Sequence, residues 1–270
     1  MPELPEVETT LRGIAPHALG KSVRAVVVRH PRLRWPVPKQ LASELPGQTV
    51  RGLVRRSKYL LFEFDRGTLI AHLGMSGSLR VTDAGEVPGK FDHVDIVFEN
   101  GTCLRLRDPR RFGAILWTHD PARHPLLTHL GPEPLGEDFT GAYLFERTRK
   151  RKRAIRDFLL DGRSVAGIGN IYANEALFAA GIRPTRAAGR LTRADCTRLA
   201  QALRATLKRA IRAGGTTLRD FRGGDDRPGY FQQRLKVYGR AGEPCQACHT
   251  SVRAVRLGQR SAFFCPRCQS

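Results

Sequence analysis

Four cysteines near the C-terminus constrain this chain more than any other feature. Cys245 and Cys248 form one C-x2-C pair, Cys265 and Cys268 form a second, and 16 residues separate the pairs. Two tight knuckles at that spacing can face each other and offer four thiolates to one tetrahedral ion. All-thiolate coordination points to zinc. Four protein ligands leave no position for water, so one structural Zn2+ is expected. Two disulfides are the alternative, and they would need an oxidising compartment. The start of the chain argues against export, because MPELPEVE puts Glu3, Glu6 and Glu8 where a secretory signal needs basic residues and then an apolar core. The reading is a reduced, cytoplasmic chain. Cys103 and Cys196 fall in a strand pattern and a helix pattern, and both read as buried thiols.

A terminal module over residues 234–270 leaves most of a 270-residue chain to be explained. Residues 3–20 carry Val7, Leu11, Ile14 and Ala18 at helical spacing, with Gly20 as the stop. Short apolar runs follow: SVRAVVV, KYLLFEFD, GTLIAHLG, GSLRVT, DHVDIVF, GTCLRLR and GAILWT. Asn100-Gly101 between two of them is a strong hairpin signal. Many short strands with turn-like links and no long helix between them predict an antiparallel sandwich. Residues 119–142, rich in Pro, Gly and His, read as a linker. Helical patterns follow at YLFERTRKRKRAIRDFLL, IYANEALFAAGI and TRADCTRLAQALRATLKRAIRAGG. In the last, Thr192 and Asp195 have the spacing of a capping box, and Gly214-Gly215 closes the element. Residues 215–233 are Gly-rich and poor in apolar residues, and read as a mobile loop. The fold expected is α+β and multidomain. An N-terminal antiparallel β-sandwich with flanking helices (1–118) is followed by the linker (119–142), a helical domain with its loop (143–233) and the four-cysteine ribbon (234–270).

Charge narrows the function. Lys and Arg number 46 against 25 Asp and Glu, a net charge of +21. Such a balance predicts a polyanionic partner, most often nucleic acid. Residues 1–138 hold 19 basic and 16 acidic side chains, and residues 139–270 hold 27 and 9. The surface that grips phosphates is therefore expected mostly in the second half. No apolar run approaches the ~20 residues that span a bilayer, so membrane insertion is not expected.

Position 2 is proline. A small second residue generally permits removal of Met1, which would expose a secondary amine. Such an amine can attack an electrophilic carbon and form an iminium ion, as lysine amines form Schiff bases. Pro is also a common first residue of a helix, which accounts for it without chemistry.

Nine motifs in order along the chain carry a resemblance to formamidopyrimidine-DNA glycosylases. They are MPELPEVET, RRSKYLLF, HLGMSGSLR, DPRRFG, THLGPEPL, GIGNIYANEALFAAGI, GGTTLRDF, KVYGR and the CQAC…CPRC ribbon. The resemblance implies an enzyme that excises oxidised purines, 8-oxoguanine and formamidopyrimidines, from damaged double-stranded DNA and then cleaves the strand by β,δ-elimination. It implies that Pro2 is the nucleophile at C1′, that Glu3 assists sugar ring opening, and that Lys58 donates a proton in β-elimination. Arg260 matches the residue assigned to δ-elimination. Arginine is effectively always protonated and a poor general acid, so a phosphate clamp is the better physical reading. Met75, Arg110 and Phe112 match a wedge that fills the gap left by the flipped nucleotide. Asn170 and Arg151 match backbone contacts in a helix–two-turns–helix domain, and Arg219 matches the loop over the flipped base. Where some relatives have histidine before DHVD, this chain has Phe91, and His93 is the substitute candidate for a phosphate contact. A monomer at the nucleoid is expected. The nearest rival is an endonuclease VIII-like enzyme of the same chemistry that prefers oxidised pyrimidines, and its usual PEGPE start is PELPE here. A DNA-binding protein without chemistry would also explain the charge and the ribbon.

Overall fold

The computed structural model describes residues 1–216 and 235–270. The chain divides into two compact units. One comprises Met1–Thr128 with Ala213–Gln232, the other His129–Arg212 with Gln233–Ser270. The Gly-rich stretch expected over 215–233, with Arg219, lies outside the described residues from position 217 onward.

The first unit begins with helix α1 (Leu4–Ala18), which has a proline in its first turn and buries Leu4, Val7, Ile14 and Ala18. Two antiparallel sheets follow. In one, β1 (Val23–Val28), β6 (Asp92–Phe98), β7 (Thr102–Arg107) and β5 (Ser78–Asp83) lie in that order. In the other the order is β2 (Gly52–Arg56), β3 (Tyr59–Phe64), β4 (Gly67–His72) and β8 (Ala114–Thr118). A four-residue helix α2 (Leu41–Glu44) sits between β1 and β2. Val7 and Ile14 of α1 share one core with Leu60, Phe62, Leu69 and Ile115 of one sheet and Ile96, Leu104 and Leu106 of the other. Each such side chain taken fully out of water contributes roughly 1.5–3 kcal/mol, so this shared core joins the layers.

The expected sandwich and the Asn100-Gly101 hairpin between β6 and β7 are both present. Gly101 adopts φ +84°, and Asn100 Oδ1 accepts the Thr102 N–H at 3.2 Å. Strand β2 was not expected. Its sequence GLVRR ends in two arginines, and it turns into β3 through Ser57-Lys58, with Arg56 opposite Tyr59. Ser57 takes φ +57°, a conformation its residue type does not advertise.

The second unit carries α3 (Gly141–Thr148), α4 (Ile155–Leu160), α5 (Asn170–Ala179), α6 (Arg193–Arg212) and the hairpin β9 (Arg253–Leu257)–β10 (Arg260–Phe264). The helix expected over 143–160 is two helices, broken at 149–154. Lys150 there has φ +58°. Five successive cations repel one another along a helix, and the break offers their backbone other partners. Ile155 N–H donates to Arg186 O at 2.8 Å, Ala188 N–H to Arg153 O at 2.9 Å and Gly189 N–H to Arg151 O at 2.9 Å. The stretch read as a linker divides between the two units, and it contains the buried Leu127 and Phe139. The capping box of α6 is present: Asp195 N–H donates to Thr192 Oγ1 at 3.1 Å and Thr192 N–H to Asp195 Oδ2 at 2.9 Å.

A buried carboxylate joins the ribbon to the helices of this unit. Glu175 of α5 is 5% exposed and accepts the main-chain N–H groups of Lys236, Val237 and Tyr238 at 2.9–3.0 Å. Asn174 beside it accepts the Phe263 N–H of β10 at 2.8 Å. Truncation of Glu175 strands three donors in a dry site. Glu175→Ala is expected to lower the unfolding free energy by on the order of 3 kcal/mol, read by urea denaturation, whereas Glu175→Gln, which keeps an acceptor, should lose less.

Candidate active site and nucleic-acid interface

The start of the chain is held by a carboxylate three residues into α1. Pro2, Glu3 and Glu6 are all buried. Glu6 Oε2 accepts the Glu3 N–H at 2.9 Å, half of a capping box that satisfies a helix N-terminal donor. Glu6 Oε1 accepts both the main-chain N–H and the hydroxyl of Thr216 at 2.9 Å. Gly215 passes so close that a Cβ there would lie 3.1 Å from Glu6 Oε1, and its φ of +77° suits glycine alone. One side chain thus pins both the segment that follows Pro2 and the main chain at Thr216.

Lys58 is brought to the same unit by the Ser57-Lys58 turn. Arg55 holds that turn to α1, with Nε on Glu8 Oε2 at 3.0 Å and Nη1 on Ser57 O at 3.0 Å. Opposite the turn, at the end of β4, His72 pairs with Tyr59, and the two rings are 5.0 Å apart. His72 Nδ1 accepts the Gly74 N–H at 3.0 Å, which leaves the proton of the neutral ring on Nε2. Burial first, then the positive charges of Lys58 and Arg34, lower its pKa to about 4. Here is a small cationic patch, kept free of a third positive charge.

Met75 and Phe112 are 41% and 44% exposed, which is unusual for large apolar side chains on a well-packed unit. They sit on two adjacent loops, 73–77 and 108–113. A Cβ on Gly74, at φ +65°, would lie 2.4 Å from Gly113 N and from Phe112 C, so the loops meet backbone to backbone. Arg110 is exposed and its guanidinium lies 4.9 Å from the Phe112 ring centre. The geometry brings the expected Met, Arg and Phe together. It does not treat His93 as a surface contact: His93 is 5% exposed, and its Nε2 bonds Asp108 O at 2.8 Å. All of β6 from Asp92 to Phe98 is buried; Val94, Ile96 and Phe98 face the shared core, and His93 lies on the other face of the strand, covered by the Asp108 loop. Phe91 instead carries cations, with Arg107 and Lys90 at 5.4 and 5.7 Å from its ring centre.

The second unit holds Asn170, Arg151 and Arg260. Asn170 is the first residue of α5, after Gly169. Arg260 is exposed at the start of β10, and Arg151 is exposed in the break between α3 and α4. Sequence reasoning missed Arg156, which is 1% exposed. Its guanidinium donates to Leu257 O at 2.9 Å, Arg260 O at 3.2 Å and Asn170 Oδ1 at 3.4 Å, while Asn170 Nδ2 donates to Ser261 O at 2.9 Å. Burial lowers the Arg156 pKa, and the nearby Arg260 charge lowers it further, against the opposing pull of Asp157. Within this unit, then, Arg260 and Asn170 are tied together beside a buried cation. That arrangement favours an anion.

The ribbon cysteines converge. None of the six cysteines is in a disulfide, and the sulfurs of Cys245, Cys248, Cys265 and Cys268 lie within 4.8 Å of one another. Cys248 and Cys265 sulfurs are 3.4 Å apart and those of Cys245 and Cys268 are 4.0 Å apart. Tetrahedral zinc with bonds near 2.3 Å sets sulfurs about 3.8 Å apart. Hydrogen bonding to Cys248 and then burial push Cys268 up to about 12. Four crowded thiols cannot all ionise without a cation, and a divalent ion reverses that. The donor set fits zinc.

Together these units define a class of protein: DNA glycosylases that combine a helix–two-turns–helix domain with a zinc finger. Within that class, residues 1–115 match the formamidopyrimidine-DNA glycosylase N-terminal domain, residues 130–222 its H2TH domain, and residues 242–270 a zinc finger found in FPG and IleRS. The chain belongs to the formamidopyrimidine-DNA glycosylase family. It is 58% identical over 270 residues to the formamidopyrimidine-DNA glycosylase of Thioalkalivibrio sulfidiphilus, with both chains covered in full. The fold is similar to the MutM (Fpg) protein of Thermus thermophilus, with a TM-score of 0.89, 41% identity, and 99% of this chain and 98% of that one covered. It is also similar to a Lactococcus lactis Fpg mutant in complex with a Fapy-dG containing DNA, with a TM-score of 0.92, 34% identity and full coverage of both chains.

The environment of His72 has a consequence in acid. An unfolded histidine takes up its proton near pH 6.5 and this one near pH 4. Between those values the unfolded state binds more protons, so the stability present above pH 6.5 falls as the pH drops, by on the order of 3 kcal/mol across the window. His72→Gln should show a shallower loss between pH 6.5 and 4 in urea titrations. An unchanged slope would contradict the assignment.

Proposed function

We propose that this protein is a base-excision repair enzyme that removes oxidised purines, 8-oxoguanine and formamidopyrimidines, from duplex DNA and cleaves the strand at the resulting abasic site. The observation that carries the reading is the buried Pro2-Glu3 start fixed by Glu6, in the same unit as Lys58 and the exposed Met75–Phe112 pair. No helix among the described residues is long and apolar enough to cross a membrane. Four reduced thiols and a DNA substrate fit work at the nucleoid in the cytoplasm.

Chemistry begins once Met1 is removed and the Pro2 nitrogen is free. A damaged base inside a duplex is out of reach, so its nucleotide must first leave the stack. Met75 and Phe112, with Arg110, fill the space vacated. The Pro2 nitrogen then attacks C1′ and forms a C–N bond, the glycosidic bond breaks, the base departs with its electron pair and is protonated by water, and the attacking nitrogen loses its N–H proton to water. Glu3 gives a proton to the ring oxygen O4′ and the sugar opens to an iminium ion. That cation acidifies C2′, whose proton passes to water as the C3′–O bond breaks with its electrons on the departing phosphate, and a second elimination removes the C4′ proton and breaks the C5′–O bond in the same way. Lys58 supplies a proton in the first elimination. Asn170, Arg151 and Arg260 hold backbone phosphates, and Arg260 stabilises charge on the departing phosphate. Arg219, three positions after Thr216 in the sequence, is assigned to the flipped base. Zinc supplies no step. It folds the hairpin that presents Arg260.

Specificity constants on duplexes carrying a single 8-oxoguanine or a single thymine glycol test this. Preference for 8-oxoguanine by at least about tenfold, roughly 1.4 kcal/mol in transition-state binding, is the expected result. Better turnover of thymine glycol would overturn the purine assignment, and no cleavage of either would overturn the enzyme.

A further inference from the structure

The wedge consists of side chains on two separate loops, and one residue assigned no role so far connects them. Asp108, the first residue of DPRRFG, has 0% of its surface exposed. Its Oδ2 accepts the Gly113 N–H at 2.7 Å, and its Oδ1 accepts the Ser76 hydroxyl at 3.4 Å. Its main-chain oxygen accepts His93 Nε2 at 2.8 Å and the Arg111 N–H at 3.1 Å, and its own N–H donates to Phe91 O at 2.9 Å. The carboxylate therefore touches the residue after Met75 and the residue after Phe112. It lies behind both.

We infer that Asp108 is a positioning residue for nucleotide extrusion, whose carboxylate locks the Met75 loop and the Arg110–Phe112 loop into one rigid wedge. This rests on the function proposed above. Inserting two apolar side chains into stacked bases is uphill, because stacking must be broken before new contacts form. Loops that had to be ordered during insertion would add their entropy to that barrier. Here the entropy is spent during folding. Arg111 is held at φ +58° by the turn closed onto Asp108 O, which throws Arg110 and Phe112 outward on either side of it. Gly74 allows the backbones of the two loops to touch, and the carboxylate fixes their register. The Gly113 N–H bond, at 2.7 Å to a buried carboxylate, is of the stronger kind, and the longer Ser76 contact at 3.4 Å ties in the second loop more weakly.

The test is stopped-flow 2-aminopurine fluorescence on a duplex with a tetrahydrofuran abasic analogue, which reports wedge insertion without chemistry, alongside single-turnover excision of 8-oxoguanine. Asp108→Ala and the milder Ser76→Ala are compared with wild type, each confirmed by circular dichroism to be fully folded at the assay temperature. Insertion is expected to slow by about tenfold in Asp108→Ala and by less in Ser76→Ala, scaling with the hydrogen bonds removed. Excision should fall in parallel. In a Met75→Ala background, Asp108→Ala should add little, because the wedge it braces is already blunted. A general structural role would instead give the same fold loss in both backgrounds. Wild-type insertion rates in a folded Asp108→Ala, or full additivity with Met75→Ala, would overturn the proposal. If Asp108→Ala does not fold, the same comparison is made with Ser76→Ala, whose wild-type rate would overturn it equally. Failure of the functional reading is separable: wild type itself would then give no insertion signal and no excision.

Discussion

Chain termini are ordinarily the loosest part of a domain, and a nucleophile placed there is useless unless it is held still. The Glu6 carboxylate meets that constraint. By accepting the Glu3 N–H it fixes the main chain one residue after Pro2, and by accepting twice from Thr216 it fixes where the Gly-rich stretch begins. The arrangement couples local helix chemistry to the site. A capping box normally serves a helix. Here the capped residue is also the one assigned to open the sugar ring. The rest of the first unit supports this placement: a shared core under α1, Arg55 tying the Lys58 turn to Glu8, and a neutral His72 that adds no charge beside Lys58.

The same device recurs in three places. Glu6, Asp108 and Glu175 are each buried, and each carboxylate accepts at least one main-chain N–H. A carboxylate can receive several donors without a rival donor of its own, so it can organise irregular backbone where no ladder of helix or strand bonds is available. The exposed Met75, Arg110 and Phe112 stand on such irregular backbone. The residues assigned to phosphates in the second unit follow a related logic with the sign reversed: the buried Arg156 donates to the main-chain oxygens of Leu257 and Arg260 and to the side-chain oxygen of Asn170.

Much of this was legible in the sequence, and the limits have a physical pattern. The Asn100-Gly101 hairpin, the Thr192–Asp195 cap and the four-cysteine ribbon are local devices whose residues lie close together in the chain, so spacing reveals them. Strand β2 and the break after Thr148 were not visible, because the turn at Ser57-Lys58 uses no Gly or Asn and because a cationic run looks the same in a helix as in a bend. The bracing roles of Arg156 and Asp108 depend on partners 101 and 32 positions away, which no local pattern encodes. The burial of His93 was hidden for a related reason: its residue type suits a phosphate, but its ring bonds the main chain of Asp108, 15 positions away. Met75, ordinary as a lone residue, becomes informative only when its exposure and its contact with the Phe112 loop are known.

The central claim is that the Pro2 nitrogen, freed of Met1 and fixed through Glu6, is the atom that bonds to the sugar. Borohydride reduction of the enzyme during turnover of an 8-oxoguanine duplex, followed by proteolysis and mass mapping of the adduct, addresses it directly. The account predicts a deoxyribose-derived mass on the peptide that begins at Pro2, with the nitrogen of that residue as the attachment point. An adduct on Lys58, or full activity from protein that still carries Met1, would contradict it.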